Sequence, residues 1–247
     1  MSLNRQTFAI CIAASIIVSM TAMKAAETDR EALKPVKKVV LLGPPDLGYY
    51  YVTTAESRGQ AWAATAVMGG GLIPFMIASG VAETPLERKL EGHLSSISLG
   101  AVLREEITAR LVALGYEVSY KSVAKREPDK LIKRYVNVRA SGDAYLDMAI
   151  VGAGYNDLYS EELCPSIYLK VRLIEQGSLD EIFQNTYEYS CREEGTHSVE
   201  VLAVDPSYRF KDHNVVADNA DLARAGLMAG VTVIVDHVAA ALDKTAQ

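Results

Sequence analysis

Between Arg58 and Glu83 the chain runs for twenty-four residues, 59–82, without one charged side chain. About 20 predominantly apolar residues are enough to cross a bilayer as a helix. This stretch, however, carries Gln60, three consecutive glycines (Gly69, Gly70, Gly71) and Pro74. Glycine and proline disfavour a continuous helix in water, although neighbouring helices compensate for both inside a membrane. A single crossing would place the strand that precedes the stretch and the helix that follows it on opposite sides of the membrane. Those two elements read as parts of one water-soluble domain. The stretch is therefore expected to form a glycine-broken hairpin or paired short helices, tucked against the domain or dipping into a membrane surface. Its contact residues would be Trp62, Met68, Leu72, Ile73, Phe75, Met76 and Ile77. An integral membrane subunit, spanning over 60–82, is the rival reading.

The first twenty-six residues have the layout of a secretory signal: Arg5, an apolar run over 8–20, then small residues with Ala25 and Ala26 as cleavage neighbours. Met23 and Lys24 stand where small residues are preferred, so an uncleaved anchor is the alternative. Cys11 lies inside the apolar run without the small-residue box of a lipoprotein. Export to a periplasmic, membrane-associated location follows. Past the signal two cysteines remain, Cys164 and Cys191, in a compartment where disulfides persist. They flank strand-like runs at 166–174 and 182–189, joined by a turn-like segment over 175–180. Opposed hairpin positions satisfy disulfide geometry. Aligning Leu173 with Phe183 and Leu169 with Tyr187 gives the better apolar face but sets the cysteines one residue off register, an offset a bulge at Pro165 would absorb. A structural disulfide is expected, with two unpaired thiols as the alternative.

At 247 residues and 49% hydrophobic content the chain can bury a full core. Residues 27–35 read as a polar tail or linker, and 36–243 as one α/β or α+β domain: a single mixed sheet with packed helices and the apolar insert after its first strand. A strand is expected at 36–42, stopped by Gly43, Pro44 and Pro45, with strand structure extended or restarted near Tyr50. Leu99, Leu103, Ile107, Leu111 and Leu114 mark a helix, and Gly115 stands where a C-cap glycine belongs. Residues 116–120 alternate as a strand, completing a crossover unit. A short helix within 125–135, strands at 144–151 and 198–204, and a terminal helix over 219–242 capped by Asp218 complete the outline. On that last helix Gly226 and Gly230 allow close packing against the sheet.

Signals for chemistry are sparse. A net charge of −6 argues against a nucleic-acid surface, and the basic residues read as scattered solvated charges, Lys37 with Lys38 and Lys121 with Lys125 and Arg126 among them. Gly152 and Gly154 follow a strand, but Asp157 replaces the third glycine of a dinucleotide fingerprint, leaving a tight turn. His93, His197, His213 and His237 belong to no metal-binding signature, so neither metal nor cofactor is expected. No serine elbow is present. Glu105 and Glu106 read as a solvated helix face, and Asp143 and Asp147 as a turn residue and an edge-facing strand residue. Thirteen tyrosines supply either a recognition surface or strand packing.

Taken in order, several stretches look familiar: the strand at 39–42 with its exit through Gly43, Pro44 and Pro45, the glycine-rich insert, the helix-to-strand passage at 111–118, Asp143 to Asp147 leading into Gly152 to Tyr155, and the strand at 167–173. This order resembles a group of proteobacterial envelope proteins. More distantly it is similar to the α/β domain of curli-secretion and penicillin-binding-protein-activator lipoproteins. The resemblance covers about residues 36–243 and implies a non-enzymatic accessory protein with no catalytic residues to carry over. Its partners would be envelope proteins or the membrane surface, with self-association and without nucleic acid. A periplasmic hydrolase is a further alternative, gaining ground if His213 or His197 converges on acidic residues in a cleft.

Overall fold

Val39, Val40, Leu41 and Leu42 are all buried. Four consecutive apolar positions belong in a strand of a sheet covered on both faces, and β1 (Lys38–Leu42), with only Lys38 exposed, takes that place. In the computed structural model, which describes residues 28–43, 50–53, 94, 98–123, 126–127, 129–158, 160–192 and 199–245, β1 lies between β3 (Glu117–Lys121) and β4 (Ala144–Asn156), parallel to both. The remaining strands are β2 (Tyr51–Thr53), β5 (Cys164–Glu175), β6 (Glu181–Ser190) and β7 (Glu200–Ala203). The seven-stranded sheet has the order β3-β1-β4-β5-β6-β7, with β2 also pairing β4 beyond the end of β1. β4, β5 and β6 are antiparallel neighbours, and β7 returns parallel to β6. This is the single mixed sheet with packed helices that the sequence predicts.

Ser98 caps α2 (Leu99–Ala113) by accepting from the Ala101 N–H at 3.1 Å. Leu99, Leu103, Ile107 and Leu111 form its buried face. Gly115, at φ +86°, ends it: Tyr116 N–H donates to Leu111 O and Gly115 N–H to Val112 O, the paired bonds of a left-handed glycine cap. The chain then enters β3 beside β1, so the expected crossover unit is present.

α4 (Ala220–Ala241) packs Leu227, Val231, Ile234, Val238 and Leu242 into the same core. A Cβ on Gly226 would meet the Tyr155 hydroxyl at 2.5 Å, and one on Gly230 the Tyr189 ring at 2.5 Å. Glycine is what lets the helix approach the sheet. α4 is also the one helix among the described residues long and apolar enough to cross a membrane, but half of its apolar window is buried inside the domain.

Several local expectations are corrected. Within the stretch read as a polar tail or linker, α1 (Arg30–Leu33) is capped by Asp29, buries Leu33, and is anchored where Asp29 N–H donates to Ile182 O at 2.9 Å. Among the described residues of 125–135 there is no α-helix, and a 3₁₀ turn starts only at Tyr135. Asp218 does not cap α4, because it closes a separate short helix, α3 (His213–Asp218), and Asn219 occupies the cap position. Gly152 and Gly154 lie inside β4 rather than in a turn. A Cβ on Gly154 would stand 1.8 Å from the Tyr51 carbonyl oxygen, so glycine admits β2 here.

The hairpin adopts the apolar register, Leu173 opposite Phe183 and Leu169 opposite Tyr187. Its ladder ends at Ile167 and Tyr189, and Cys164 and Cys191 are joined diagonally beyond it with Cα atoms 6.0 Å apart. Pro165 forms no bulge. It stays in register opposite Tyr155 of β4, and the shift in the β5–β6 ladder falls between Leu173 and Ile174.

Candidate functional site

Between positions 121 and 139 the chain carries seven Lys or Arg and two Asp or Glu, a local charge of +5. With the whole at −6, the remainder carries −11. This segment leaves the end of β3 and crosses the sheet face opposite α2 and α4. There Val123, Ile132, Tyr135, Val138 and Ala140 pack on Val40, Leu42, Tyr145 and Ile174. The Tyr135 and Tyr145 rings stack at 6.3 Å, and the Tyr145 hydroxyl donates to Val138 O at 3.1 Å.

An ion pair fastens this segment down. Asp147, in the first third of β4, is fully buried, and the Arg126 side chain is 4% exposed. Their closest atoms, Asp147 Oδ1 and Arg126 Nη2, are 2.6 Å apart, although the N–H is not aligned for a hydrogen bond. Asp147 Oδ2 accepts from the Ile132 N–H and the Tyr135 hydroxyl, both at 2.7 Å. Arg126 donates in turn to Leu42 O at 3.1 Å, to Gly43 O at 3.0 Å and to Met148 O. Burial, and then the Asp147 charge, push the Tyr135 phenol well above its ordinary range, so it stays a donor. A buried charge is tolerated only when paired and hydrogen-bonded. Here that requirement ties Arg126, Ile132 and Tyr135 to the carboxyl end of β1 and the first part of β4.

Above this anchor opens a cleft of about 720 Å³, whose lining includes Lys121, Arg126, Lys130, Lys133, Arg134 and Arg139. Lys130 pairs with Glu127, whose carboxyl is held below its ordinary range by that hydrogen bond. Lys121, Lys133, Arg134 and Arg139 are exposed and make no ion pair among the described residues. The Arg126 Nε–H is buried and has no hydrogen-bond acceptor among the described residues. The arrangement offers a concave, cation-rimmed surface with the buried Arg126 among its lining residues.

Cys164 and Cys191 are brought together as expected. Trp62, Met68, Leu72, Ile73, Phe75, Met76 and Ile77 lie outside the described residues, as do 1–26, His93 and His197. His213 begins α3, with its side chain also outside them. His237 stands on α4 with Nδ1 2.7 Å from Glu200 Oε1. Among the described residues no three His, Cys, Asp or Glu side chains gather as a metal site. The tyrosines went largely to packing: Tyr155, Tyr187 and Tyr189 are among the largest fully buried side chains.

Asp147 is not an edge-facing strand residue, and Arg126 is not a solvated charge. Both readings fail for one reason: each residue looks ordinary until the other is placed beside it. The charge imbalance over 121–139 was a usable signal, diluted by Glu127, Asp129 and the acidic remainder. No protein-family model matches the chain, and no curated protein matches it.

Proposed function

We propose that this chain is an exported, non-catalytic accessory protein of the cell envelope, acting through contacts with envelope proteins or the membrane surface. The disulfide carries this reading. A 27-residue separation closed by a covalent bond belongs in an oxidising compartment, in keeping with the signal-like first twenty-six residues and with the resemblance to envelope proteins. Fractionation, N-terminal sequencing and thiol alkylation of the native protein test it. The expected result is envelope recovery, a start near residue 27 and no alkylation of Cys164 or Cys191 without reductant. Quantitative alkylation of both in a cytosolic fraction would overturn it.

One contact favours this reading over a single-span subunit. The Leu99 N–H donates to the Tyr50 hydroxyl at 3.4 Å in the buried core. Those two residues flank the uncharged stretch, and β1 pairs with β3 across it. One crossing over 60–82 would separate them. Carbonate extraction is expected to release the protein, and full retention in the membrane pellet would favour the spanning alternative.

A further inference from the structure

The cleft over 121–139 has the features of a ligand site rather than of a solvated loop. Its volume of about 720 Å³ falls in the range of small-molecule pockets, about 300–1,000 Å³. It opens at the carboxyl ends of the parallel strands β1 and β3, next to Lys121 and the Leu42 and Gly43 carbonyls held by Arg126. Open sheets with parallel strands place their ligands at such ends. Four exposed cations, Lys121, Lys133, Arg134 and Arg139, converge on it without a partner carboxylate among the described residues. Like charges held together repel, and a bound anion relieves that repulsion.

A second observation is independent of the rim. Arg126 lines the cleft, its side chain is more than nine-tenths buried, and its Nε–H lacks an acceptor among the described residues. Leaving such a donor unsatisfied is costly, and an oxyanion seated at the floor would accept from it. A carboxylate has two oxygens for this many donors. A phosphate has three or more, and it matches the planar fork of Arg and the point charge of Lys together.

We propose that this cleft binds a phosphate group, with Lys133, Arg134 and Arg139 supplying charge from the rim and Arg126 a donor from the floor. The phosphate comes from a soluble phosphate ester or from a phospholipid headgroup. The proposal does not depend on the compartment in which the protein works. It names a ligand chemistry where the proposed function names only contacts.

The test uses the full chain with its disulfide intact, at low ionic strength. Pyrophosphate binding is measured by calorimetry, and flotation is scored with phosphatidylglycerol vesicles against phosphatidylcholine vesicles. The same measurements are made on K133Q/R134Q/R139Q, whose exposed side chains leave the Arg126–Asp147 anchor untouched. Arg126 itself is kept, because its removal would also release the chain carbonyls. The expected result is pyrophosphate binding weakened at least tenfold in the triple variant, with an unchanged melting curve. Flotation on phosphatidylglycerol that pyrophosphate competes away assigns a headgroup source, and pyrophosphate binding without flotation assigns a soluble one. The proposal falls if neither probe binds, if the triple variant binds both as tightly as the parent, or if flotation is indifferent to pyrophosphate.

Discussion

On one face of the sheet Leu146, Met148, Ile167, Leu169 and Tyr187 join the apolar side chains of α2 and α4 in a single core. On the other face Tyr145, Asp147 and Arg126 hold an irregular basic segment by stacking, hydrogen bonds and an ion pair. The helix face uses polar atoms sparingly, and two of its tyrosine hydroxyls are spent on carbonyls: Tyr155 donates to Ala223 O at 3.0 Å, Tyr116 to Leu242 O at 2.7 Å. The loop face spends its polar atoms on position. Apolar burial is non-directional and stabilises in proportion to area, whereas a buried ion pair adds little net stability but fixes one geometry. One face therefore carries the stability of the domain, and the other holds the described part of the basic segment in one place beside a cleft.

The sharpest break in that contrast is Asp147→Ala, which leaves Arg126 buried and unpaired. A loss of about 3–5 kcal/mol is expected from denaturant unfolding. Replacing both partners, Arg126→Met with Asp147→Leu, should recover most of it, while the 121–139 segment becomes more susceptible to protease. A single-variant cost below about 1 kcal/mol, the scale of exposed pairs, would mean that the pair anchors nothing.

On the helix face Gly230→Val should cost about 1–3 kcal/mol by overpacking, since the added Cβ would stand 2.5 Å from the Tyr189 ring and 3.0 Å from Ile167. The cleft should keep its ligand affinity. Equal damage to both properties would show the two faces to be one unit.

The smallest effect is with pH. Burial is the largest cause pushing the Tyr116 and Tyr189 phenols up to about 12, against about 10 in an unfolded chain. A folded pKa above the unfolded one gives stability that is complete below pH of about 10 and is lost as pH rises through about 12. Unfolding midpoints should fall across that window, with tyrosinate absorbance from the buried rings appearing together with unfolding. Full tyrosine ionisation in a still-folded protein near pH 10 would contradict the tight helix face.

Much of the helix face was legible beforehand. The four- and three-residue spacing of Leu99, Leu103, Ile107 and Leu111, the cap glycine Gly115, and Gly226 with Gly230 on α4 are local signals, each set by neighbours within a turn or two. The apolar register of the hairpin was legible for a similar reason: Leu169 and Leu173 alternate at the strand period and demand Tyr187 and Phe183 opposite. Gly154 misled because glycine marks a turn and a close backbone approach equally well, and only β2 distinguishes them.

The sequence by itself determined the mixed sheet with its packed helices and the close seat of α4, and led to the expectation that Cys164 pairs with Cys191, because periodicity, turn chemistry and steric smallness act over short distances. Tertiary structure alone decided that Arg126 and Asp147 are partners and that Lys133, Arg134 and Arg139 share one rim. A charge reads as solvated until the fold removes water from around it. Twenty-one positions separate Arg126 from Asp147 along the chain, and only the crossing of the basic segment over β4 makes them neighbours.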